Sequence, residues 1–136
     1  MEDSTLTVAA AVVRSIEQEA RSASPEECCG LLSGTDGAIT NVHPLRNESP
    51  KPETRYFASP EDLLASMRRI RDAGRRMMGI YHSHPRTAAY PSASDVEMAF
   101  YPEAVYFIIS LESKPDLRAY RIEGGRIREL NLRILE

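Results

Sequence analysis

Apolar positions along the chain change their spacing several times, and each change marks an element. From Val8 to Ser22, the residues Val12, Val13, Ile16 and Ala20 recur at helical spacing, which predicts an amphipathic helix. Ser24-Pro25 ends it, because the residue before a proline avoids the helical region. CCGLLSG then reads as a short apolar strand, Asp36-Gly37 as a hairpin turn and AITNVHPL as the return strand. The polar stretch Arg46–Thr54, broken by Pro50 and Pro52, predicts a loop. A second helix is expected from Pro60 to Ala73, with Ser59 as N-cap, Pro60 at the first helical position and Gly74 as its stop. Its apolar face would carry Leu63, Leu64, Met67 and Ile70, and Arg68, Arg69, Arg71, Arg75 and Arg76 fall on the other. RRMMGIYHSH predicts a buried strand, and Ser92 or Ser94 is placed to cap a short helix over Val96–Tyr101. AVYFIISL is the clearest strand, β-branched and aromatic, and LRAYRI and RIRELNLRIL alternate about Glu123-Gly124-Gly125 as a terminal hairpin. The expected order is helix, two strands, helix, strand, short helix, three strands. A sheet flanked by helices is the packing that suits it, so the fold class is α/β or α+β with a mixed sheet.

Composition narrows the function. A length of 136 residues suits one domain, 1–136, able to bury a core without covalent staples. With 17 basic and 20 acidic residues the formal charge is -3, which argues against a nucleic-acid partner. The second helix's arginines lack interleaved aromatics and read as a solvated face, with contact to an acidic protein as the alternative. No apolar run approaches the ~18 residues that cross a bilayer. MEDSTLTV lacks the charged and apolar regions of a signal peptide, so a cytoplasmic protein with no membrane partner is expected. Adjacent Cys28 and Cys29 offer no disulfide framework and no CxxC pair, and read as small strand residues rather than a catalytic thiol.

The chemistry concentrates in YHSHPRTAAYPSASD. His82 and His84 stand two apart at a strand end, so both side chains face the same way and can converge on one metal ion. Asp95, beyond a loop that can turn back, is the best third ligand, and a water would hold the fourth position of a tetrahedral Zn2+. Such a site lowers the pKa of its water toward ~7, and hydrolysis then needs a nearby carboxylate, not itself a ligand, to move the proton. Glu27, leading into the CCGLL strand, has the right chemistry, although spacing alone does not select it from the other acids. Ser92 reads either as a helix cap or as a hydroxyl that stabilises an oxyanion. His43, before Pro44, has no ligand partner near it in sequence and is expected at the surface.

These residues resemble the JAMM (MPN+) metalloprotease family, whose pattern is an upstream glutamate, H-[ST]-H, seven residues, S, two residues, D. Here it reads Glu27, His82-Ser83-His84, Pro85 to Pro91, Ser92, Ala93-Ser94 and Asp95, and EECCGLLSG is similar to the family's E-x-C-G-[LI]-L-x-G strand. The resemblance implies a curved mixed sheet flanked by helices, similar to cytidine deaminases. It implies zinc on His82, His84 and Asp95, Glu27 as general base and Ser92 beside the tetrahedral intermediate. The reaction implied is hydrolysis of an amide or isopeptide bond after the C-terminal glycine of a ubiquitin-like protein. AYPSASD and the short length are more similar to bacterial stand-alone members. Several of those act on ubiquitin-like sulfur-carrier proteins, releasing cysteine or a short extension to expose a Gly-Gly terminus. Such a partner is the expectation here, met by a monomer or homodimer, with the carrier's tail extended along a sheet edge.

Three rivals are distinguishable. A linkage-specific deubiquitinase needs insertions for which this chain has no room. A metal-free MPN scaffold usually lacks part of the motif, whereas all five residues are present. A zinc nucleobase deaminase needs H-x-E and P-C-x-x-C, and neither occurs.

Overall fold

In a computed structural model, which describes residues 5–136, seven strands close into a ring in the order β1-β3-β2-β4-β5-β6-β7, with β1 against β7. The strands are β1 (Thr5–Ala9), β2 (Cys29–Thr35), β3 (Ala38–Leu45), β4 (Arg76–His84), β5 (Val105–Ser110), β6 (Asp116–Glu123) and β7 (Arg126–Leu135). The helices are α1 (Ala10–Ala23), α2 (Pro60–Asp72) and α3 (Ala93–Glu97). The sheet is mixed, as expected: β1 runs parallel to β3 and β7, β4 runs parallel to β5, and the other pairs are antiparallel. Closure goes beyond the expected curved sheet. It also shortens the expected sheet edge, which is confined to stretches with one strand partner, among them β3 beyond Ile39 and Asp116–Arg118 of β6. Residues 1–4, the start of MEDSTLTV, lie outside the described residues, and among those described no helix is long and apolar enough to cross a membrane.

Period-2 alternation gives the sheet two apolar faces. On one, Val12, Ile16 and Ala20 of α1 pack with Val8, Leu32, Ile39, Tyr81, Phe107, Ala119 and Leu130, so α1 gathers residues from every strand into one cluster. On the other, Cys29, Leu31 and Ile70 pack under α2, and Tyr106, Ile108, Tyr120 and Ile122 pack near α3. In β4 the alternation shifts at an irregularity opposite Leu32 and Ser33, and from Ile80 onward the even-numbered residues face this second side, where His82 and His84 emerge.

Four local expectations change. β1 precedes α1, and the helix starts at Ala10 rather than Val8. TLTVAAAVV passes from strand to helix with no turn residue, and Ala9 makes no side-chain cap, so nothing in the pattern marks the boundary. On α2 the inward residues are Leu63, Ser66 and Ile70, while Leu64 and Met67 stay exposed, so the buried stripe is rotated from the expected one. α3 starts and ends earlier than the expected Val96–Tyr101, at Ala93–Glu97, capped by Ser92. His43 is half-buried rather than on the surface, with Nε2 2.7 Å from the Ser33 hydroxyl.

The expected stops and caps of α2 are present. The Ser59 hydroxyl accepts from the Asp62 amide at 3.2 Å, a cap of about 1 kcal/mol, and Gly74 follows the helix with φ 73°.

Candidate active site

The site forms where β4 ends beside the start of β2. His82 lies opposite Cys29 on one side and Ile108 on the other, so pairing on both flanks fixes its backbone, and His84 is paired on one flank, opposite Ser110. Between them Ser83 points to the opposite face, where its hydroxyl accepts the Cys28 amide proton at 2.8 Å and its own amide donates to the Cys28 carbonyl at 3.1 Å. The middle residue of the H-S-H motif thus ties the Glu27-Cys28 segment to the strand bearing the histidines.

The loop after His84 turns back under restraint from β5 and β6. Ser110 donates to the Thr87 carbonyl at 2.6 Å and the Tyr120 hydroxyl donates to the Ala89 carbonyl. It ends in the capping box of α3: the Ser92 hydroxyl accepts from the Asp95 amide at 3.0 Å, and the Ser92 amide donates to Asp95 Oδ2 at 2.9 Å. Ser92 is therefore a real cap. The cap uses its oxygen only as an acceptor, so the hydroxyl proton is available to a substrate.

That box aims Asp95 at the histidines. Asp95 Oδ2 lies 3.1 Å from His82 Nε2 and 3.0 Å from His84 Nε2, and the two nitrogens are 3.1 Å apart. Ligand atoms ~2.0–2.1 Å from a tetrahedral zinc stand ~3.3 Å from one another, so the triangle fits such an ion. The donor chemistry agrees. His84 Nδ1 donates to the Ala88 carbonyl at 2.8 Å, so a neutral His84 presents a lone pair at Nε2 toward a second imidazole and a carboxylate. A proton satisfies one pair of these acceptors at a time, whereas a cation satisfies all three. Among the described residues this is the group of His, Cys, Asp or Glu side chains whose ligand atoms converge closely enough to hold a metal ion.

Glu27 stands outside that triangle and close enough to feel it. It is 5% exposed, and its Oε1 is buried without a hydrogen-bond partner. Burial pushes its carboxyl up to about 7, with His84 pulling it down and Asp95 pushing it up. Its backbone is held at both ends: its amide donates to the Pro52 carbonyl at 2.7 Å, and Asn47 Nδ2 donates to its carbonyl at 3.0 Å. For Asp95, burial opposes ionisation, but the bonds from His82 and His84 prevail and hold the carboxyl well below the usual range. Burial lowers His82, while at His84 it is outweighed by Asp95 and Ala88, which raise that ring.

The structure therefore brings Glu27, remote in sequence, to the stretch that carries His82, His84, Ser92 and Asp95. Cys28 and Cys29 are free and buried, and burial first, then neighbouring acids and, for Cys29, the adjacent Cys28 thiol, pushes both up to about 12, far from a nucleophile. Sequence reasoning missed three supporting residues. Ser83 is discernible only as the hydroxyl within H-S-H, Asn47 lies in the expected loop Arg46–Thr54, and Tyr56 falls between that loop and the second helix, where no element is expected. Asn47 serves Glu27, and Tyr56 stacks on His82 with ring centroids 4.5 Å apart.

Residues 9–123 match a family described as prokaryotic homologs of the JAB domain. The chain is 35% identical over 140 residues to the desampylase of Haloferax volcanii, covering 98% of this chain and 99% of that one. It is 34% identical over 135 residues to the CysO-cysteine peptidase of Mycobacterium tuberculosis, covering 96% and 92%. The solution structure of a Desulfitobacterium hafniense protein superposes with a TM-score of 0.88 at 34% identity, covering 96% of this chain and 93% of that one.

Proposed function

This chain belongs to the stand-alone JAMM/MPN+ protease family, and from that premise we propose that it uses zinc to hydrolyse the amide or isopeptide bond after the C-terminal Gly-Gly of a ubiquitin-like sulfur-carrier protein, releasing cysteine or a short extension. The observation that carries the reading is the convergence of His82, His84 and Asp95 beside the buried carboxylate of Glu27.

His82 Nε2, His84 Nε2 and Asp95 Oδ2 would hold the ion, whose charge supplies Lewis-acid polarisation and acidifies the attacking water. Glu27, ionised, takes that water's proton and returns it to the leaving amine. Its burial suits both steps, since a carboxyl with pKa near 7 neither holds the proton irreversibly nor refuses it. The Ser92 hydroxyl, with its proton free, donates to the oxygen that gains charge in the tetrahedral intermediate. The carrier is supported by the relatives, one a CysO-cysteine peptidase and another a desampylase.

The direct test is incubation with sulfur-carrier proteins bearing C-terminal extensions, followed by intact mass. Loss of the extension at the Gly-Gly boundary is expected; intact carriers alongside cleaved ubiquitin conjugates would favour the deubiquitinase-like reading. A metal-free scaffold would cleave neither and would purify without zinc.

Ser92→Ala separates capping from catalysis. The Asp95 side chain is oriented by the Ser92 amide, which alanine keeps, so zinc should be retained. Stability should fall by about 1 kcal/mol from the lost cap. Cleavage should fall roughly 10²–10³-fold, as when an oxyanion donor is removed. A folded variant with the wild-type rate would leave Ser92 a cap alone.

A further inference from the structure

The two histidines of the triangle are steadied in different ways. His84 has the outer hydrogen bond common to metal-bound imidazoles, Nδ1 to the Ala88 carbonyl at 2.8 Å. His82 has none: it is 1% exposed, and its Nδ1 is buried without a hydrogen-bond partner. What lies flat against His82 is Tyr56, with ring centroids 4.5 Å apart and planes 24° from parallel. His84 meets the same imidazole only edge-on, at 4.9 Å and 61°.

We propose that Tyr56 is the positioning residue for His82, its ring setting the tilt that aims Nε2 into the triangle, as the Ala88 carbonyl does for His84. This deepens, and rests on, the reading of the triangle as a zinc centre. The His82 backbone is already fixed by its partners in β2 and β5, so the freedom left to the side chain is rotation of the imidazole. At His84 a directional hydrogen bond removes that freedom. At His82 no polar group outside the triangle does, and an orphaned Nδ1 adds no preference for the productive tilt. A flat aromatic neighbour restrains the same rotation by steric means, since tipping the imidazole drives its edge into the phenol ring, and stacked rings at this separation attract.

Tyr56 is itself held for the task. Asn47 Oδ1 accepts from the Phe57 amide at 3.0 Å, and Asn47 Nδ2 donates to the Arg55 carbonyl at 3.1 Å, so one side chain clamps the backbone on both sides of Tyr56. The same Nδ2 donates to the Glu27 carbonyl. The residue that steadies the general base therefore also steadies the ring that steadies His82. Tyr56 further lines an apolar groove with Phe57, Leu63, Met98 and Tyr101, which places it between that groove and the metal ligand.

The test is zinc affinity of the full chain, measured by competition with a chromophoric chelator, for the wild type, Tyr56→Phe, Tyr56→Leu and Tyr56→Met. The leucine and methionine variants keep apolar bulk without a ring and should bind zinc roughly 10–100-fold more weakly, the range for lost outer-shell support. Tyr56→Phe keeps the stack and should stay within about threefold of the wild type. In nitrogen spectra of the imidazoles, the ring signals of His82 should move in the ringless variants while those of His84 hold. Wild-type affinity in folded Tyr56→Leu or Tyr56→Met overturns the inference. So does a phenylalanine variant as weak as the leucine one, and so does an equal shift of both histidines, which marks general loosening. A wild-type chain that binds no zinc overturns the zinc reading itself, whereas equally tight binding by the wild type and the ringless variants overturns only the role of Tyr56.

Discussion

Glutamine in place of Glu27 is expected to leave the chain folded and loaded with zinc while slowing cleavage on the order of 10²–10⁴-fold, the usual worth of a positioned general base. The expectation follows from the geometry: Glu27 lies outside the ligand triangle, and its backbone bonds to Pro52 and Asn47 do not involve the side chain. Zinc content by mass spectrometry and turnover of a carrier with a C-terminal extension measure the two halves separately. Near wild-type turnover in the glutamine variant would remove Glu27 from the mechanism. The substitution also has a signature in chelator-treated protein. Burial raises the Glu27 carboxyl from its ordinary 4.5 to about 7, so the native state holds a proton that the unfolded chain releases earlier. The stability this contributes is complete below 4.5 and is lost as pH rises through about 7. Glutamine does not titrate, so the stability of Glu27→Gln relative to the wild type should climb across that window. A difference that stays flat with pH would mean that Glu27 is not held protonated by burial.

Asp95→Asn should have the largest effect of all, abolishing tight zinc binding and, with it, cleavage. Oδ2 accepts contacts from both imidazoles and carries the negative charge that joins them; an amide keeps the shape but loses that charge. Zinc at roughly 1,000 times its Kd adds about 4 kcal/mol to the stability of a protein that binds it. For a chain of this size that raises Tm by on the order of 10 °C. Wild type should show the rise in a thermal scan with added zinc, and Asp95→Asn little of it. A variant that purifies with one zinc per chain and shows the full rise would exclude Asp95 as a ligand. His82→Ala should behave alike, because it removes another corner of the same triangle.

Much of this site is legible along the chain because its candidate ligands obey local rules. His82 and His84 share a face through the two-residue period of β4, and Ser92 and Asp95 are joined by the three-residue spacing of a capping box. The elements with strong local signals also appear where expected: the Asp36-Gly37 hairpin, α2 between Ser59 and Gly74, the apolar β5 and the terminal hairpin. β1 is hidden because a strand that runs directly into a helix leaves no turn residue, and its partners come from the far end of the chain, with Leu6 opposite Leu132 and Val8 opposite Ile134. The buried stripe of α2 is rotated because Ser66, polar in any hydrophobicity pattern, is buried with its hydroxyl bonded by Arg69, while Leu64 and Met67 are left outside.

The sequence by itself determined the donor set: two imidazoles and a carboxylate at local spacings, a glutamate before an apolar strand, and thiols without a partner for redox chemistry. Only the tertiary structure decided which acid stands beside the His82–His84–Asp95 triangle, because Glu27 reaches it through the β2–β4 pairing and the Ser83–Cys28 bonds across 55 residues of chain. It likewise decided the carboxyl's proton affinity, since desolvation depends on what surrounds a group and not on its neighbours in sequence. The loop residues Asn47 and Tyr56 acquire their roles in the same way: no periodicity marks them, and their contacts with Glu27 and His82 come from the pairing of β2 with β3 and β4.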